Sequence, residues 1–145
     1  MFHIRVERLV RKDIDTVFEA LSDHAGYDRF AGVTRSVLLE QGDEEKNGVG
    51  ALRHIVSGVV EFHERIVRFE RPTRMGYLIE KARPLPMRHD RGDITLTPKG
   101  DGTLVVWESE GHIGIPILGD LVLDRLAESR GAGSFDRFLQ SIESA

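Results

Sequence analysis

The sequence predicts an α+β domain: a curved antiparallel β-sheet of about seven strands wrapped around a long C-terminal helix. Three observations predict it. In "FHIRVERLV" (2–10), Phe2, Ile4 and Val6 alternate with His3, Arg5 and Glu7, the period of a strand with one buried face. From "ALRHIVSG" onward the chain reads as strand after strand with short connections, which implies an antiparallel meander. The final segment drops the alternation and spaces Phe135, Phe138, Leu139 and Ile142 as one face of a helix.

The elements follow in order. After the first strand, Asp13 has the character of an N-cap, and Ile14, Val17, Phe18 and Leu21 continue at helical spacing. "SDHAGYDRFAGV" (22–33) carries two glycines and two aromatics, read as a second short helix and a turn. "TRSVLLEQ" (34–41) reads as a strand and "GDEEKNGVG" (42–50) as a charged turn. Strands are expected over 50–57, 59–70, 74–82, 88–97 and 103–111, with "ERPTR" and "PKGDG" as the clearest turns. Pro116 opens the last segment. One face of such a sheet is apolar and must be covered, and the final helix is the only large element available. A curved sheet gripping one helix, with few residues left to fill the concavity, leaves an internal cavity.

A chain of 145 residues is read as a single domain, 1–145. At that length about 68–70% of the unfolded surface can be buried, enough for a core with some enclosed volume. The formal net charge of −4 argues against nucleic acid as a partner, because phosphate binding needs a basic face. With no cysteine, there is no disulfide, thiolate metal site or cysteine nucleophile, and the expected compartment is the cytoplasm. The charged N-terminal alternation is unlike a signal peptide, and no apolar run approaches the ~20 residues of a membrane span, so no stable membrane insertion is expected.

In order along the chain, "DIDTVFEALSDHAGYDRF" (13–30), "NGVGALR" (47–53), "ERIVRFERPTRMGYLI" (64–79), "GDITLTPKGDGTLVVW" (92–107) and the Pro116-led helix resemble the START-like (SRPBCC) superfamily with the helix-grip fold. The most similar subgroup is the bacterial polyketide cyclase/dehydrase-like proteins. The resemblance covers nearly all of the chain. It implies a cavity between sheet and helix that takes a small hydrophobic molecule. It also implies that an acidic residue in a Glu-Arg-aliphatic run, here Glu64, faces that cavity.

Alternation assigns the cavity wall. Tyr77 and Ile79 point inward from "MGYLI", Phe62 and Glu64 from "FHERI", and Arg53 and Ile55 from "ALRHI", leaving His54 outside. Arg53 and Glu64 then meet on neighbouring strands, and pairing offsets part of the cost of desolvating either. Val67 and Phe69 form a second apolar set, so a bulge or an edge crossing is expected to flip the phase there. In "TLVVWESEGH" the indole of Trp107 has far more area to bury than a valine, so Trp107 is placed inward with Ser109 in phase, and Glu108 and Glu110 face solvent as solubilising charges. Tyr27 and Phe30 on the small helix either gate the cavity or plug the end of the sheet.

Expected ligand contacts are therefore Tyr27, Phe30, Arg53, Ile55, Phe62, Glu64, Tyr77, Ile79 and Trp107. Glu64, Tyr77 and Arg53 are the best candidates for catalysis, against the plainer reading of a buried ion pair and a cavity wall. His89 with Asp90 reads as a loop pair, and "RGD" (91–93) as a chance tripeptide. The six histidines show no metal-ligand spacing, so no metal or other cofactor is expected. The helix is ambiguous: Ile117 and Leu121 share the face of Phe135 and Phe138, but so do Asp124 and Glu128. Either its phase changes near Gly131–Gly133, or its first half is apolar on two sides and meets a partner, with a homodimer as one candidate. The function expected is binding or transport of a lipid, polyketide or isoprenoid. The alternatives are a polyketide cyclase/dehydratase and an accessory factor acting through protein contacts.

Overall fold

Alternation along the chain becomes one seven-stranded antiparallel sheet in a computed structural model that describes residues 1–145. The strands are β1 (Phe2–Val10), β2 (Arg35–Glu40), β3 (Leu52–Ser57), β4 (Val60–Glu70), β5 (Arg74–Arg83), β6 (Met87–Lys99) and β7 (Gly102–Ile113). Helix α1 (Ile14–Ser22) and a 3-10 turn (His24–Arg29) follow β1, and a π-helical turn (Gly119–Leu123) runs into α2 (Asp124–Ser144). The sheet order is β1-β7-β6-β5-β4-β3-β2. Strands β2 to β7 thus pair as a meander, and β1 docks beside β7 with Val6 opposite Trp107.

Local chemistry starts and ends these elements where the sequence indicates. The Asp13 carboxylate accepts the Thr16 N–H at 3.1 Å and caps α1. Gly50 sits at φ +93, a conformation that favours glycine, and its N–H bonds Ile66 O at 2.9 Å, so the turn after β2 runs up to Leu52. Of the two devices expected to flip the phase near Val67, the strand uses a bulge. The β4–β5 register shifts between Ile66 and Arg68, which turns Val67 to solvent and returns Phe69 to an edge contact with Phe18 at 5.1 Å between ring centres.

The concave face of the sheet carries Phe2 and Ile4 of β1, Ile94 and Leu96 of β6, and Val105 and Trp107 of β7 into the core. Against it pack Phe138, Leu139 and Ile142 of α2, with Val17, Phe18 and Leu21 of α1 at one end. Gly131 lets α2 lie close on β1: a Cβ there would sit 2.4 Å from Ile4 Cδ1. The early part of the C-terminal segment behaves differently. Asp124 is buried because its carboxylate accepts the Ile113 N–H at 2.9 Å, which explains an acid on the inward face. Ile117, Leu118, Leu121 and Val122 are exposed.

Candidate functional site

Between the sheet and α2 lies a cavity of about 930 Å³. β3 contributes Arg53 and Ile55, β4 Phe62 and Glu64, β5 Tyr77 and Ile79, and β7 Trp107 and Ser109; α2 closes it with Phe135 and Phe138. Exposed lining residues mark the mouth: Val59 of the β3–β4 turn, Leu85 of the β5–β6 turn, and Leu126 of α2. Arg83, Arg130 and Arg137 also line it on the solvent side, and none of the three forms an ion pair.

Eight of the nine residues expected to touch a ligand line this space: Tyr27, Arg53, Ile55, Phe62, Glu64, Tyr77, Ile79 and Trp107. Phe30 does not. It is buried behind the wall, its ring 5.1 Å from that of Phe138 and capped on the other side by Arg29 at 4.5 Å. Tyr27 is no gate either. It is almost wholly buried, donates its hydroxyl to Leu21 O, and lies against Phe138 at 4.8 Å. The short 3-10 turn therefore plugs the end of the sheet.

The floor is polar. Arg53 and Glu64 face each other across the β3–β4 ladder. Arg53 Nε donates to Glu64 Oε1 at 2.8 Å, and Nη2 lies 2.7 Å from the same oxygen in the ion pair. Arg53 is only 1% exposed, and its charge is held by Glu64, by the Tyr27 ring at 4.7 Å and by the Tyr77 ring at 5.4 Å. Its Nη1 reaches His24 Nδ1 at 3.1 Å. A guanidinium only donates, so Nδ1 accepts, and the proton of His24 sits on Nε2, 2.9 Å from Asn47 O. Burial, and then the Arg53 charge, push the His24 pKa down to about 3. Glu64 Oε2 has no protein partner and borders the cavity.

A second polar group sits beside it. Trp107 Nε1 donates to the Tyr77 hydroxyl at 2.8 Å. The indole is stacked on Phe135 at 4.1 Å, so it stands inward, and Glu108 and Glu110 stand on the opposite face. These carboxylates are not freely solvated charges: Arg91 Nη2 lies 2.9 and 3.3 Å from them, and His3 3.3 and 3.4 Å. His89 is not in a loop. It lies within β6, buried, its ring stacked on Tyr77 at 5.5 Å. The Ile79 N–H donates to His89 Nδ1 at 3.0 Å, and Nε2 lies 2.8 Å from Ser109 Oγ. Burial pushes the His89 pKa down to about 4 and the Tyr77 phenol well up, so the imidazole is neutral and the phenol protonated near neutral pH. Gly92, opposite Tyr77, is the bed of that ring: a Cβ there would meet its carbons at 2.6 Å.

Sequence reasoning missed His24 and His89. A bulge between His89 and Arg91 explains the second case: plain alternation sets His89 on the face opposite Gly92 and Ile94, and the extra residue brings it onto theirs. Two His–carboxylate groups assemble without any sequence spacing, His3 with Glu108 and Glu110, and His112 with Asp120 and Asp124. Arg91 already neutralises the first. No helix is long and apolar enough to cross a membrane.

Comparison with known proteins agrees with this fold. Protein TTHA0849 of Thermus thermophilus is 20% identical, over 98% of this chain and 94% of that one, with a TM-score of 0.77. A START superfamily protein of Mycobacterium smegmatis is 10% identical over 99% of this chain and 96% of that one, with a TM-score of 0.79. DynU16, a protein of the dynemicin biosynthetic locus, is 15% identical at a TM-score of 0.70; the match spans 99% of this chain and 46% of that one. At such identities these likenesses speak for the START-like helix-grip fold alone. A comparison with curated proteins finds no match. The sequence itself matches one family over residues 1–145, and the chain belongs to it: polyketide cyclase / dehydrase and lipid transport.

Proposed function

We propose that this protein binds a small hydrophobic molecule, of lipid, polyketide or isoprenoid type, in the cavity between sheet and α2. The cavity carries this reading: about 930 Å³ with an apolar wall, a mouth, and only a few polar groups at its floor. Burial supplies the affinity. At about 25 cal/mol per Å², a ligand hiding ~400 Å² gains about 10 kcal/mol before the entropy of association is subtracted. Tyr27, Ile55, Phe62, Ile79 and Trp107 supply that burial on this reading, and Arg53, Glu64 and Tyr77 orient the ligand.

Native mass spectrometry of freshly purified protein, followed by organic extraction, tests it. A discrete hydrophobic adduct is expected. Trp107 is the sole tryptophan and a wall residue, so its fluorescence should change when the adduct is removed and restored. A clean protein mass, together with unchanged Trp107 emission across a lipophilic panel, would overturn the reading.

A second reading is favoured by one observation, the free Glu64 Oε2 at the cavity floor. On this reading the protein is a cyclase or dehydratase in which Glu64 moves protons on a bound poly-β-keto chain. Glu64→Gln then abolishes turnover of the extracted compound with little loss of affinity. An extracted compound that stays unaltered on incubation removes this reading.

A further inference from the structure

Beyond the binding function proposed above, and resting on it, stands the question of which polar atoms the cavity offers its ligand. Two donors are fixed. An indole nitrogen can only donate, so Trp107 fills one lone pair of the Tyr77 oxygen. His89 is fixed as well. Its Nδ1 accepts a backbone N–H, so the proton of the neutral ring sits on Nε2 and is donated to Ser109 Oγ. Each hydroxyl oxygen thus already receives one proton from behind the wall.

The two hydroxyls keep their own protons. Neither Tyr77 nor Ser109 donates to any backbone carbonyl or carboxylate, and both line the cavity. If one hydroxyl donates to the other, one proton is still left over; if they do not, two are. In either case at least one O–H has the cavity as its only outlet. The phenol holds its proton throughout the physiological range, because burial raises its pKa.

The opposite polarity stands nearby. The Arg53 hydrogen bond and the ion-pair contact both fall on Glu64 Oε1, and Oε2 is left as an acceptor on a residue that lines the same space. The Arg53 guanidinium lies against both Glu64 and the Tyr77 ring, so the two features share one end of the cavity. A hydroxyl proton or a carboxylate oxygen left without a partner in an apolar enclosure is costly. The cheapest occupant is therefore one that answers both.

We infer that the cavity floor selects a largely apolar ligand bearing both a carbonyl-type oxygen, which accepts from the Tyr77/Ser109 hydroxyl pair, and a hydroxyl, which donates to Glu64 Oε2. His89 acts as a positioning residue: by fixing its own tautomer against Ile79 N–H it keeps Ser109 from spending its acceptor elsewhere. Polar decoration that would weaken binding to a plain apolar pocket strengthens it here.

The test is a matched set of probes of nearly equal size: 2-ethylnaphthalene, 2-acetylnaphthalene and 6-ethyl-2-naphthol, titrated into the wild-type protein by calorimetry. The expected result is that the ketone and the naphthol each bind about threefold to tenfold more tightly than the hydrocarbon, one net hydrogen bond apiece. The carbonyl carbon of ¹³C-labelled 2-acetylnaphthalene should move downfield on binding, relative to the same compound in hexane. On the double variant Arg53→Met with Glu64→Leu, the naphthol should lose its advantage over the hydrocarbon. Three results overturn the inference: the hydrocarbon binding as well as or better than both oxygenated probes, a bound carbonyl resonance as in hexane, or a naphthol advantage that survives the double variant. In the first of these the hydrocarbon still binds, so hydrophobic binding stands while the polar floor does not. A protein that binds none of the three loses both readings.

Discussion

The two buried neutral imidazoles make the fold acid-sensitive in a window that can be calculated. His24 and His89 have folded-state pKa values pushed to about 3 and about 4 from the usual 6.5. Above about pH 7.5 both are neutral whether the chain is folded or not, so they add no pH dependence. Below it the unfolded chain takes up two protons that the folded chain refuses, and stability falls as pH falls. Each such group costs about 1.4 kcal/mol per pH unit once its unfolded form is fully titrating. Between pH 6 and pH 5 the pair therefore removes roughly 2–3 kcal/mol, a large share of a typical margin of about 5–15 kcal/mol. His63, whose pKa burial also lowers, adds a smaller push of the same sign. Asp13, Glu108 and Asp124, whose pKa values are lowered from 3.8 or 4.5, act only at more acid pH, so the window isolates the histidines. Urea unfolding at half-unit steps from pH 8 to 5 should show a midpoint nearly flat above about pH 7.5 and then falling by about 1–2 M. His89→Gln should roughly halve the slope. A midpoint constant within experimental error from pH 6.5 to 5 would refute the tautomers deduced for both rings, and with them the donor role of His89.

Three further outcomes follow from contacts already described. Glu64→Leu strands the Arg53 guanidinium and should cost about 3–5 kcal/mol, while Arg53→Met with Glu64→Leu should cost less than Glu64→Leu alone, as read by denaturant unfolding of each. Gly92→Ala forces a methyl into the Tyr77 ring and should cost about 1–3 kcal/mol while loosening the Trp107–Tyr77 contact, visible as altered Trp107 emission. Asp13→Ala removes the α1 cap and should cost about 1 kcal/mol with no change in Trp107 emission, because the cap lies outside the cavity wall.

Much of this architecture is legible in the chain because the sheet is antiparallel with one wet face. That arrangement writes its register as alternation, so Arg53, Glu64, Tyr77 and Trp107 can be placed inward before any coordinate is known. Alternation fails where the ladder gains a residue. The bulges at His63/Glu64 and His89/Arg91 shift the phase, and His89 disappears into an apparent loop. It fails as well where a side chain answers a backbone group remote in sequence. His24 serves Arg53 and Asn47, and Asp124 serves Ile113, and no local pattern announces either. Phe30 shows a third limit. A buried aromatic beside a cavity can belong to the wall or to the layer behind it, and only packing on Phe138 decides.

A cavity of about 930 Å³ in a chain of 145 residues also bears on how much of the protein a cell keeps. Side chains that line a cavity forgo packing contacts that a solid core would make, so a chain built around one holds less margin than its size suggests. An occupant that binds only the folded form returns that margin by mass action, about 2.7 kcal/mol at a hundredfold excess over its dissociation constant. Shifts of about 1–2 kcal/mol are enough to change steady-state abundance several-fold through proteolysis of the unfolded fraction. On the binding reading, supply of the occupant would set the lifetime of the protein, and pulse-chase turnover with and without that supply would measure the coupling directly.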